Sequence, residues 1–91
     1  MELTMNMILQ ATPEDFRDLM INQTLGVRSS LQNILQAQYE QCKMVKDALL
    51  ELKRQNKVPK EDLGETNKSI EDLYVCMQLI EDRYNILKEI G

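Results

Sequence analysis

The chain has 91 residues, weighs 10.6 kDa and carries a net charge of −4, with 43% hydrophobic, 29% charged and only 4% aromatic residues. That length supports one small domain, residues 1–91, and no second core. The lack of His removes the commonest general base and the commonest metal ligand, and no apolar run approaches the ~18 residues of a membrane span.

Residues 1–10, MELTMNMILQ, alternate apolar and polar positions with only Ile8 out of step. Period two predicts a half-buried strand. With no second strand in the chain, it would pair with its own copy in a dimer. Met and Leu are weak strand formers, and a flexible or helical arm is the other reading. Thr12-Pro13-Glu14-Asp15 is the clearest local signal. A capping Thr, Pro at the first helical position and acids in the first turn predict a short helix over 13–24. Gly26 with Ser29-Ser30 predicts a break, with a new helix from about residue 29.

Leu31, Ile34, Leu35, Cys42, Val45, Leu49 and Leu52 step by threes and fours, which describes a long helix over 29–56. Pro59 predicts its end, because proline restricts Val58 and cannot continue the ladder. Leu63, Thr66, Ile70, Leu73, Met77, Ile80, Tyr84 and Leu87 define a second long helix over 60–90 with a heptad seam. A short connection between helices of similar length favours antiparallel neighbours. Folding the chain about residue 59 sets Val45 against Leu73, Leu31 against Leu87 and Cys42 level with Cys76. The predicted fold is therefore all-α: an antiparallel hairpin of two long helices, a short N-terminal helix, and a strand or arm before it.

Residues 43–60 carry a net charge of +4 and residues 61–91 a net of −5. The hairpin lays the basic stretch beside Glu61, Asp62, Glu65, Glu71 and Asp72, so neutralisation across the hairpin is expected. The sharper alternative is an anion-binding tip at Lys53, Arg54, Lys57 and Lys60. An overall pI near 4.8 weighs against nonspecific nucleic-acid binding.

Both long helices carry more apolar residues than one seam requires. Val75, Leu79, Ile86 and Ile90 lie off the stripe of the last helix, and Met44, Ala48 and Leu50 widen the preceding one. Contiguous apolar surface of this extent marks an interface, so Val75, Leu79, Ile86, Ile90, Met44 and Leu50 are candidate contacts in a homo-oligomer, most simply a dimer. Gln38 and Gln41 interrupt the apolar pattern. Within a seam they would fix register; at its edge they would meet water.

No phosphate-binding glycine loop and no zinc-ligand spacing occur, and Ser-His or Cys-His catalysis lacks its base. The adjacent acid pairs, such as Glu71-Asp72, point in different directions on a helix. The expectation is a non-enzymatic protein with no catalytic residues, cofactor or metal, acting by binding as an assembly factor, small chaperone or inhibitor. Without a basic leader, and with two thiols, it is expected in the cytoplasm, away from membranes. Two alternatives stand beside this. One is a DNA-binding dimer of β-ribbon type using residues 1–45, with Thr4 and Asn6 at base edges and Arg28 at phosphate. The other is a helical oligomer that sequesters a small anion or nucleotide at the basic tip.

Overall fold

A computed structural model describes residues 5–90, with side chains from residue 7 onward. These residues form α1 (Met5–Gln10), α2 (Pro13–Ile21), α3 (Leu25–Arg54), a 3-10 turn (Lys60–Asp62) and α4 (Leu63–Ile90). Among the described residues there is no strand. Residues 1–4 of the expected strand lie outside the described residues, and residues 5–10 are helical. Their alternation is overridden by tertiary contact, since Arg83 of α4 donates from Nε to Ile8 O at 3.2 Å and from its terminal nitrogen to Ala11 O. These are carbonyls at the C-terminal end of α1, which a helix leaves without internal partners.

α2 begins as its sequence dictates. The Thr12 hydroxyl accepts from Asp15 N–H at 3.1 Å, and Pro13 occupies the first turn. Phe16 and Met20, one turn apart, are fully buried. The break after α2 falls earlier than Gly26. Thr24 caps α3 by accepting from Val27 N–H at 3.2 Å, so the helix starts at Leu25 rather than near residue 29. Gly26 sits in the first turn, where it interrupts nothing.

α3 also ends before Pro59 acts on it. Asn56 adopts a left-handed φ of 56°. Its N–H bonds Lys53 O, and Lys57 N–H reaches back to Leu52 O, both at 3.0 Å. This pair of bonds is a Schellman motif with Asn in place of the usual Gly, and it stops the helix at Arg54.

α3 and α4 pack against each other along their length. The inward residues of α3 are Arg28, Gln32, Leu35, Tyr39, Cys42, Lys46, Leu49 and Lys53, each buried or half-buried. Those of α4 are the eight residues from Leu63 to Leu87 that define its heptad, again all buried or half-buried. Cross-contacts join Lys53 to Asn67 and Lys46 to the Tyr74 ring. The seven apolar residues expected to share one face of α3 therefore divide: Leu31, Leu35, Cys42 and Leu49 turn inward, whereas Ile34, Val45 and Leu52 stay exposed. Both sets have helical spacing, and spacing cannot choose between them.

α1 and α2 also pack on α4. Along α4 a second stripe lies one residue before the seam: Arg83 and Ile86 are buried, and Cys76, Leu79 and Ile90 half-buried. The core gathers at this end around Ile8, Phe16, Met20, Leu31, Leu35, Ile80, Ile86 and Leu87. At the other end two helices run alone. The molecule measures 49 × 21 × 19 Å with a radius of gyration of 16.0 Å. A compact chain of this length would have a radius of about 12 Å.

Candidate protein interface

The open end of the α3–α4 pair carries the uncovered apolar side chains. Met44 is 74% exposed, Val75 60%, Tyr74 50%, and Val45, Leu50 and Leu52 are also exposed. Nearer the core, Leu25, Val27 and Ile34 on α3 remain exposed too. The total accessible surface is 6481 Å². A compact globular chain of this mass exposes about 5,500 Å². The elongated shape thus leaves roughly 1,000 Å² more surface than a compact chain of this mass would expose.

The six interface candidates do not behave alike. Met44, Leu50 and Val75 lie open on the surface, and Leu79 is half-buried. Ile86 is enclosed in the chain's own core at 8% exposure, and Ile90 is half-buried against that core. Their surplus is taken up inside the chain, because α1 and α2 dock along α4. Leu25, Val27, Ile34, Val45 and Leu52 were missed as candidates. The signal for the last four is a second heptad on α3, one residue before its inward set; Leu25 continues the inward set into the first turn, where it is exposed.

The basic tip is partly occupied by local bonds. Lys53 Nζ donates to Asn67 Oδ1. Arg54 pairs with Glu51 three residues earlier through two hydrogen bonds. Those bonds, with a third from Gln55, hold the Glu51 carboxyl below its ordinary range, and the same contact raises Arg54. Lys57 and Lys60 are exposed. Among the described residues, the ion pairs made by this basic stretch lie within α3. Lys46 pairs with Asp47 at 3.1 Å and Arg54 with Glu51, each within α3. Among the described residues the ion pair that joins two helices is elsewhere, Arg17 to Glu89 at 2.6 Å.

The residues assigned to DNA contact are not assembled into a ribbon among the described residues. Thr4 lies outside them, the backbone at Asn6 is helical, and Arg28 is half-buried at the start of the α3 seam. Its Nε is enclosed with no hydrogen-bond partner among the described residues.

Cys42 and Cys76 meet across α3 and α4 as free, half-buried thiols. Burial pushes the Cys42 thiol above its ordinary value of 9.0, and the neighbouring Cys76 adds to the rise. Next to this level, a groove of about 350 Å³ opens between the helices, lined by Leu35, Tyr39, Glu40, Ile80, Glu81 and Tyr84 among others. A second, more apolar groove of about 280 Å³ is lined by Ile8 and by Gly26, Val27, Ser30, Leu31 and Ile34 of α3. Among the described residues no cluster of three or more His, Cys, Asp or Glu is placed to hold a metal ion, and no helix is long and apolar enough to cross a membrane.

Comparison of the chain with known proteins finds no match among family models, curated sequences or solved structures.

Proposed function

We propose that this chain is a small helical interaction module that acts by binding protein, and that it works as a homo-oligomer, most simply a dimer. The uncovered apolar surface of α3 and of the open end of α4 carries this reading. Burying a Val, Leu, Ile or Met side chain contributes about 1.5–3 kcal/mol, so a surface of this size is a strong drive to association. An assembly factor, small chaperone or inhibitor fits such a surface, and none of these roles calls for catalytic groups or a cofactor.

The finer architecture belongs to the same proposal. We read α3 and α4 as an antiparallel hairpin of coiled-coil type. The contacts Lys53–Asn67, Lys46–Tyr74 and Cys42–Cys76 support it, since one number falls as the other rises. The two thiols support residence in a reducing compartment, the cytoplasm.

Light-scattering mass measured with binding of an apolar dye tests the reading. Self-assembly predicts a mass of two or more chains with little dye bound. A surface reserved for another protein predicts 10.6 kDa with strong dye binding. A particle of 10.6 kDa that binds no dye refutes the proposal, because no apolar surface is then left to explain.

A further inference from the structure

α3 and α4 are built alike, each with a second stripe one residue before its inward seam, about 100° around the helix. On α4 the buried and half-buried part of this stripe, Cys76, Leu79, Arg83, Ile86 and Ile90, is apolar except for Arg83. Where it meets water it turns polar, at Glu65, Ser69 and Asp72. On α3 the second stripe is Val27, Leu31, Ile34, Gln38, Gln41, Val45, Ala48 and Leu52. It stays apolar at six of its eight positions, although all but Leu31 are exposed. It is richer in apolar residues than the inward seam of the same helix.

We infer that this stripe is a coiled-coil seam for a second copy of the chain, with the two α3 helices antiparallel about a two-fold axis between Gln38 and Gln41. The inference rests on the self-association reading above. The stripe reads almost the same in both directions. An antiparallel mate sets Val27 against Leu52, Leu31 against Ala48, Ile34 against Val45 and Gln38 against Gln41. Every apolar residue then meets an apolar residue, and the two amides meet each other and fix register. The positions flanking the centre are Ala37 and Met44, which also face each other, and this accounts for a methionine left 74% exposed. No like charges meet along the seam.

The size of the side chains agrees. Val27, Ser30, Leu31 and Ile34 form the four-residue hole that receives a knob in such packing, and they line the groove of about 280 Å³ beside Ile8. α1 crowds this hole, and the knob the two-fold brings to it is Ala48, the smallest in the stripe. From Val27 to Leu52 the seam runs about 38 Å.

Sedimentation of the full chain across about 1–100 μM tests the seam, with V45E, V75E and Q38L/Q41L beside it. The expected results are a dimer weakened at least ~100-fold by V45E and tightened at least ~10-fold by Q38L/Q41L. A gain in affinity cannot come from misfolding. A spin label at R54C, with Cys42 and Cys76 replaced by Ser, should report about 44 Å between copies, against ~20 Å or less for parallel helices. A dimer that survives V45E but not V75E, or a short label distance, overturns the seam and leaves self-association standing. A monomer throughout that Q38L/Q41L does not convert to a dimer overturns the seam as well. The dye measurement then decides the broader reading.

Discussion

Arg83 is the residue on which the placement of α1 depends. It is only 3% exposed, its Nε donates to Ile8 O, its terminal nitrogen donates to Ala11 O, and its guanidinium lies 5.6 Å from the Phe16 ring centre. One side chain of α4 thus ties the end of α1 and the first buried residue of α2. Arg83→Met keeps the aliphatic bulk and helix propensity but removes the donors. The buried Ile8 carbonyl and the part-buried Ala11 carbonyl, left without partners, cost up to about 1–3 kcal/mol each, and loss of the ring contact adds about 0.5–2 kcal/mol. Relief of a buried charge offsets part of this, so the expected loss is about 3–5 kcal/mol. A chain of 91 residues has roughly 5–14 kcal/mol in total. Urea unfolding at one fixed protein concentration measures the loss, and hydrogen exchange over residues 5–12 locates it. Arg83→Lys, which keeps one charged donor, should fall between. A loss below about 1 kcal/mol with unchanged protection in α1 would refute the role given to Arg83.

Three further predictions concern local structure and pH. Gly64→Ala should stabilise by about 0.5–1 kcal/mol in thermal unfolding, because α4 already holds residue 64 in helix and an added Cβ meets nothing within 4 Å. Thr24→Ala should cost about 1 kcal/mol and increase amide exchange at Val27, whereas the same change at Ser29 should cost far less, since the cap sits at residue 24. The Cys42 thiol is raised by burial and by Cys76, so its contribution to stability is complete below 9.0 and is lost as pH rises through the higher folded value. Denaturation between about pH 8 and 10 should show a decline that Cys42→Ser reduces, and iodoacetamide should modify Cys42 at higher pH than a free thiol. Equal pH slopes in the two proteins would contradict that assignment.

Much of the local structure was legible because it depends on neighbours in sequence. Thr12-Pro13 marked the start of α2 correctly, and the eight heptad residues of α4 all turn inward. The boundaries of α3 were less legible. Gly26 and Pro59 drew attention from Thr24 and Asn56, whose hydroxyl bond and left-handed φ end the helix on each side. Arg83 was invisible in the sequence, because a lone arginine in a helix reads as a solvated charge until the chain brings carbonyls to it. The same holds for Lys46, half-buried over Tyr74, where a long aliphatic stem covers apolar surface. The candidate interface was legible as a surplus of apolar residues, and its members were not.

The sequence by itself determined that this is a helical chain, where its long helices lie, and that each carries more apolar residues than one seam requires. Those properties follow from spacing of three and four, caps and breakers, all read within a few residues. Only the tertiary structure decided which stripe is covered. Two stripes one residue apart have the same periodicity, and the choice between them depends on contacts summed over distant elements. Docking of α1 and α2 on α4, with Arg83 bonded to α1 and stacked on Phe16, encloses Ile86 and Ile90 and leaves Ile34, Val45 and Leu52 of α3 open.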